Sequence, residues 1–242
     1  MKHYYLLAVL FTIFFCDISF SQLKTLKYIY ENFTEISKIE FERKNNSSVY
    51  ITKTYYLDTV TYKSVFLRYY MGKLAQGKKN QLFRILSQRN RLDTTKALLI
   101  HYKDSLKSKK TFPSRDSIAY LKNGVHKHIS SHKTFVRQHK NCEKDNSRKQ
   151  ITMYHFYNHN DGHPDVIKKM VWHKDHLSLL RKLFYNPSLN NKYWTILIHP
   201  NGDYVVNYFG VRPSKKWRDF KKHKNWDTYF KDFKKSMALL NP

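Results

Sequence analysis

The sequence predicts an α/β fold for residues 96–242, preceded by a smaller region of mixed strands and helices at residues 22–95. Three observations support this prediction: short apolar runs separated by helical patterns, a hairpin around an Asn-Gly turn, and a final amphipathic helix. The predicted element order is β-α-β-α-β-β-α. Strands separated by helices usually pair in parallel and a hairpin pairs antiparallel, so we expect one mixed sheet covered by helices.

The region 22–95 consists of β-branched and aromatic segments followed by one helical pattern. In order, it predicts a helix or strand at 23–30, strands at 39–41, 49–52 and 62–70, a helix across 82–89, and a polar connection at 90–95.

The region 96–242 shows clearer patterns, and its strongest signal is the hairpin around Asn201-Gly202, where glycine supplies positive φ. The other predicted elements are a strand at 97–102, helices at 113–121 and 134–139, a charged loop at 140–149, a strand at 151–157, a helix from Pro164, a continuation capped by Asp175, and a last helix across 226–237. The expected core residues are Leu98, Ile100, Ile151, Met153, Met170, Leu180, Ile196, Ile198, Val205, Phe230 and Phe233.

The hairpin from Thr195 to Gly210, TILIHPNGDYVVNYFG, resembles the corresponding hairpin of exported thioredoxin-like thiol-disulfide oxidoreductases. The resemblance implies a thioredoxin-like fold for residues 96–242. Those enzymes carry Cys-x-x-Cys after the first strand, where this chain has Lys-Asp-Ser-Leu-Lys at 103–107, and a cis-proline before the hairpin, where this chain has Lys-Tyr-Trp at 192–194. Thiol exchange needs a thiolate and normally a resolving thiol, so the resemblance implies the fold without that chemistry.

Residues 1–21 predict a secretory signal peptide. A basic start precedes an apolar run at residues 4–16 that is too short to span a bilayer, and residues 19–21 form a small-x-small cleavage site. We expect cleavage between Ser21 and Gln22 and a periplasmic, envelope-associated or extracellular protein. The alternatives are an uncleaved anchor or a buried N-terminal helix, and lipid attachment at Cys16.

The chain is strongly basic, with 45 Lys and Arg against 18 Asp and Glu and a formal net charge of +27. Charge of this size favours an anionic polymer or envelope surface as partner. The alternative is codon bias, which explains the many lysines but not the few acidic residues. Only six glycines are present, which argues against a Gly-rich loop for a nucleotide cofactor.

Basic residues interleaved with aromatic residues near the C-terminus are the first candidate site, because such surfaces bind anionic polymers or membranes. The alternative is a helix that packs its aromatic face on the sheet and leaves its lysines in solvent. The candidate binding residues are Lys215, Lys216, Arg218, Lys221, Lys222, Lys224, Lys231 and Lys235.

A run rich in imidazoles and carboxylates is the second candidate site, because these groups bind zinc and other first-row transition metals. Its candidate ligands are His155, His159, Asp161 and His163. This interpretation predicts a metal-dependent enzyme, such as a hydrolase acting on a polyanion. The alternative is a solvated loop, since the spacing matches no established metal motif, and then a non-catalytic binding protein that needs no cofactor.

The predicted mature chain keeps one cysteine, Cys142, so it forms no intramolecular disulfide. Its basic neighbours favour a lowered thiol pKa, whereas the alternative is an exposed thiol without a function.

Overall fold

The computed structural model describes residues 25–120, 126–148, 151–185, 193–208 and 215–240. They form a mixed α/β arrangement with three β-sheets, which confirms the predicted fold class. The predicted signal peptide at residues 1–21 lies outside the described residues. No helix in the described part of the chain is long and apolar enough to cross a membrane.

The described part of the chain contains twelve strands and six α-helices. The strands are β1 (Thr25–Tyr30), β2 (Tyr50–Tyr56), β3 (Val60–Leu67), β4 (Tyr69–Lys73), β5 (Leu98–Leu106), β6 (Ser117–Tyr120), β7 (His126–Ile129), β8 (Thr152–Asn160), β9 (Val166–Ile167), β10 (Met170–Lys174), β11 (Tyr193–Ile198) and β12 (Asp203–Asn207). The helices are α1 (Lys38–Asn45), α2 (Gln76–Asn90), α3 (His132–Ser147), α4 (Leu179–Phe184), α5 (Lys215–Lys221) and α6 (Trp226–Leu240).

The largest sheet has seven strands in the order β4-β12-β11-β5-β8-β10-β9. Strands β5, β8 and β10 are parallel neighbours, and the other pairings in this sheet are antiparallel. The strands predicted at 97–102, 151–157 and 194–199 therefore share one sheet, as expected. Strand β4 comes from the region before residue 96, so this sheet includes strands from both sides of the predicted boundary.

The region before residue 96 differs from prediction at two elements. The single strand predicted at 62–70 spans parts of β3 and β4, which belong to different sheets. The strand predicted at 39–41 is wrong, because these residues belong to α1, where the Ser37 side chain caps the helix by accepting from the Glu40 N–H at 3.1 Å. The ambiguous segment at 23–30 contains strand β1, which pairs in parallel with β3, while β2 completes this small sheet.

Two predicted helices are strands. The residues predicted as a helix at 113–121 include strand β6, which pairs antiparallel with β7. The helix predicted from Pro164 is the β9–β10 hairpin, whose two-residue turn places Lys168 at φ 44° and Lys169 at φ 76°. Such a turn normally carries Asn or Gly, so lysines gave no sequence signal for it.

The charged loop predicted at 140–149 is also wrong, because α3 continues to Ser147. The Ser131 hydroxyl caps the helix at Thr134, and only Phe135 and Asn146 are buried along its length. From residue 140 onwards the helix consists mostly of charged and polar residues, which explains why the sequence pattern suggested a loop.

The main core combines residues of the seven-stranded sheet, of the small sheet and of the helices packed on them. All the expected core residues are buried except Met153 and Phe230, which are partly buried. Tyr69 on β4 contacts the rings of Phe220 and Phe233 at centroid distances of 5.5 and 6.2 Å. The C-terminal helices thus pack aromatic side chains into the core, as the alternative interpretation predicted.

Candidate functional site

Three histidines meet on the face of the main sheet that α3 covers. The parallel register of β5 and β8 places His101 directly beside His155. Helix α3 packs on β8 and brings His139 to the same place, so one ring nitrogen from each histidine lies within 4.8 Å of the others. His155 is fully buried, and His101 and His139 are partly buried. We call these three residues the histidine cluster.

The ring nitrogens of the histidine cluster have defined neighbours. The Nδ1 atoms of His101 and His155 are 3.2 Å apart. The Nδ1 atom of His139 is 2.7 Å from the carbonyl oxygen of Phe135, which can only accept a hydrogen bond. The His139 proton therefore sits on Nδ1, and its Nε2 atom keeps a free lone pair.

The second nitrogen of His155 is a buried polar atom without a hydrogen-bond partner among the described groups. This Nε2 atom lies 2.9 Å from Oε1 of Glu143, but the two are not aligned as a hydrogen bond. Glu143 stands one turn after His139 on α3, so both side chains lie on the same helix face. Most buried polar atoms in proteins have a partner, so this one requires an explanation.

Aromatic side chains enclose the histidine cluster. The ring of Trp172 on β10 lies 4.8 Å from His155 and 5.5 Å from His139, and Phe135 lies 4.2 Å from His139, between ring centroids. The Trp172 Nε1–H is likewise buried without a partner among the described groups. Lys103 packs its ammonium group over the Phe135 ring at 4.1 Å.

Burial keeps His101 and His139 uncharged at neutral pH. It holds the pKa of His101 well below the usual value, with a further contribution from His139, and it lowers the pKa of His139 to about 3. Burial also lowers the pKa of Lys103 to about 8. Neutral imidazoles have free lone pairs, which is the state in which histidine binds metal ions.

The four metal ligands predicted from the sequence do not converge on one point. His155 belongs to the histidine cluster, whereas His163 pairs with His132 at 3.1 Å between Nε2 atoms. Asp161 accepts from the Ser105 hydroxyl at 2.7 Å, and His159 is exposed.

Sequence reasoning missed His101, His139 and Glu143. The spacing of His139 and Glu143 was the available signal, because residues four apart share a helix face, but the segment was interpreted as a loop from residue 140.

The predicted basic residues near the C-terminus divide into two groups. Arg218, Lys222, Lys224, Lys231 and Lys235 are exposed on or between α5 and α6. Lys221 is buried, and its ammonium group donates to the side-chain carbonyl of Asn146 on α3. The side chains of Lys215 and Lys216 lie outside the described part of the chain.

A cavity of about 480 Å³ lies beside the first turn of α3. Three exposed lysines, Lys109, Lys133 and Lys168, contribute to its wall, and none of its lining residues is acidic. The remaining lining residues are Phe112, Pro113, Ser114, Ser131, His132, Val136 and Ile167. We call this cavity the lysine pocket.

A nearby carboxylate is already hydrogen bonded. Asp116 accepts from the Ser131 N–H and the Thr134 hydroxyl, each at 2.7 Å. These bonds lower the pKa of Asp116 and fix its carboxylate at the start of α3.

Cys142 is a free cysteine on α3. The residue is exposed, but desolvation of its sulfur by the surrounding protein raises the pKa of the thiol and outweighs the opposing effect of Lys221, so the expected lowering by basic neighbours does not occur. A raised pKa leaves little thiolate at neutral pH.

No family model, curated protein or solved structure matches this chain. The candidate sites therefore rest on geometry and charge alone.

Proposed function

We propose that this chain is an exported, strongly basic, thioredoxin-like protein that binds an anionic partner and does not carry out thiol–disulfide exchange. The lysine pocket is the observation on which the proposal depends. It combines three lysine residues with a cavity of about 480 Å³ and an absence of acidic lining residues. This volume is in the usual range of about 300–1,000 Å³ for sites that bind small molecules.

The chemistry of the lysine pocket suits one unit of an anionic polymer. Lys109, Lys133 and Lys168 can pair with sulfate, phosphate or carboxylate groups, while Phe112 and Ile167 offer apolar surface to a sugar ring. A flat membrane surface would not enter a cavity of this kind. The proposal therefore favours an anionic glycan over a lipid bilayer.

The exposed basic residues of α5 and α6 provide a second region of positive charge for a long polymer. Their aromatic neighbours Phe220, Trp226 and Phe233 are buried in the core. These rings are not available for stacking on bases, so this region favours charge pairing over recognition of single-stranded nucleic acid.

The thioredoxin-like part of the proposal is supported by strand order and direction. Strands β8-β5-β11-β12 are adjacent in that order, with β5 parallel to β8 and antiparallel to β11. A helix, α6, follows the β11–β12 hairpin near the C-terminus. The two cysteines of the chain, Cys16 and Cys142, are far apart in sequence and form no Cys-x-x-Cys motif.

Retention on immobilised heparin, a sulfated glycan, tests the proposal. We expect the variant K109Q/K133Q/K168Q to elute at clearly lower salt than the parent, because each lost contact with a charged polymer reduces the counterion release that drives binding. The matched control K222Q/K224Q/K231Q removes the same charge from three exposed positions, two between α5 and α6 and one on α6. Its elution should shift less.

Equal shifts for the two triple variants would show that total charge alone governs retention, and a larger shift for the control would place binding on α5 and α6. Either result would contradict the proposal. Circular dichroism spectra of both variants confirm that they remain folded.

A further inference from the structure

We propose that His101, His139 and His155 form a binding site for one divalent first-row transition metal ion, with zinc as the preferred occupant. The site is distinct from the lysine pocket and does not depend on binding of an anionic partner. Imidazole nitrogens are common ligands of zinc and of its neighbours in the first transition series.

The distance between two of the ring nitrogens fits a shared metal ion. Zinc–nitrogen bonds are about 2.0–2.1 Å long in tetrahedral sites, so two such ligands should lie about 3.3–3.4 Å apart. The Nδ1 atoms of His101 and His155 are 3.2 Å apart. Only a small adjustment would place both at bonding distance from one ion.

The third ligand is oriented by a hydrogen bond. His139 donates from Nδ1 to the Phe135 carbonyl oxygen at 2.7 Å, which directs the Nε2 lone pair away from the helix backbone. Metal-binding histidines usually make such a bond from the nitrogen that does not bind the metal. His139 must move farther than the other two ligands to reach a shared ion. The three ligand atoms lie within 4.8 Å of one another, and a tetrahedral site requires a shorter separation.

The unpartnered Nε2 atom of His155 is an independent observation in favour of the site. When Nδ1 of His155 binds a metal ion, Nε2 carries the proton and becomes a donor. Glu143 already holds a carboxylate oxygen 2.9 Å from this atom. A small rotation would create the carboxylate–histidine–metal arrangement that orients many metal ligands.

Lys103 is a cation close enough to this arrangement for its charge to act on His101 and His139. Its ammonium group lies over the Phe135 ring, which holds it on the aromatic wall of the cluster. The Glu143 carboxylate supplies a compensating negative charge beside His155.

Zinc titration of the purified protein against a chromophoric chelator tests the site. We expect one zinc ion per chain, an affinity at least about 100-fold weaker in His139→Gln, and an affinity about 10–100-fold weaker in Glu143→Gln, as for outer groups that orient metal ligands. The matched controls are His159→Gln, an exposed histidine, and H132Q/H163Q, which removes the separate histidine pair. Both controls should bind zinc like the parent.

A second measurement does not depend on any variant. Cobalt(II) bound to the parent protein should give the intense visible absorption of a tetrahedral site with nitrogen ligands, and zinc should displace it. The proposal is overturned if the parent binds no zinc at micromolar concentration, or if cobalt gives only a weak octahedral spectrum. It is also overturned if zinc binding is lost in H132Q/H163Q but kept in His139→Gln.

Discussion

Burial lowers the pKa of several histidines in this protein. His199 illustrates this at the end of β11, where it is 5% exposed and lies 2.8 Å from the Phe220 carbonyl oxygen through Nε2. Its ring also packs against His223 and Trp226. Burial lowers the pKa of His199 to about 4, with a smaller contribution from the neighbouring His223.

The lowered pKa of His199 predicts that the protein loses stability on acidification. Below about pH 6.5 the unfolded chain binds a proton at this residue, whereas the folded chain remains neutral until about pH 4. Protonation therefore favours the unfolded state across this window, by up to about 1.4 kcal/mol per pH unit.

Replacing His199 with Gln removes this titration while keeping an N–H donor for Phe220. Urea unfolding at several pH values between 4 and 7 should show a smaller loss of unfolding free energy in the variant than in the parent. The exposed His159→Gln variant should behave like the parent. An unchanged pH dependence in His199→Gln would refute this assignment.

The sequence located one residue of the histidine cluster and missed the others for a physical reason. His155 lies in a conspicuous run of histidines, but its partner His101 is 54 residues earlier in the chain. Only the pairing register of β5 and β8 brings them together, and register is determined by packing of the whole sheet.

At the scale of elements, prediction succeeded where a local pattern determines the structure. Strands β5, β8 and β11 each contain a short run of apolar and aromatic residues, and the last helix has a clear apolar stripe, so all four were predicted correctly. The β9–β10 hairpin was missed because two lysines occupy its turn. The helix predicted at 134–139 is shorter than α3, because the residues after 139 are mostly charged or polar and were interpreted as a loop.

The β11–β12 hairpin gives a prediction at this scale. Gly202 has φ +91°, and a Cβ atom there would lie 3.0 Å from the Lys79 side chain. We expect Gly202→Ala to lower the free energy of unfolding by about 1–2 kcal/mol, because side chains rarely adopt this backbone conformation.

Gly77 in α2 is the matched control for this substitution. A Cβ atom there would meet nothing within 4 Å, and alanine is favoured over glycine in a helix by about 0.5–1 kcal/mol. Gly77→Ala should therefore raise stability while Gly202→Ala lowers it, as measured by urea unfolding. Equal effects would contradict the role given to Gly202.

At the scale of the whole molecule, α3 connects the features on which the two proposals depend. Its first turn borders the lysine pocket, its middle holds His139 and Glu143, and its last turns receive Lys221 through Asn146. On the proposed function, the net charge of +27 would attract anionic polymers before any specific contact forms.

Hydrogen exchange in the presence and absence of a heparin oligosaccharide tests the proposed function most directly, because it locates binding in the unaltered protein. We predict increased protection of backbone amides in residues 109–114 and 131–136, which line the lysine pocket, and little change in residues 218–235 on α5 and α6. Protection confined to residues 218–235, with none at the pocket, would contradict the account.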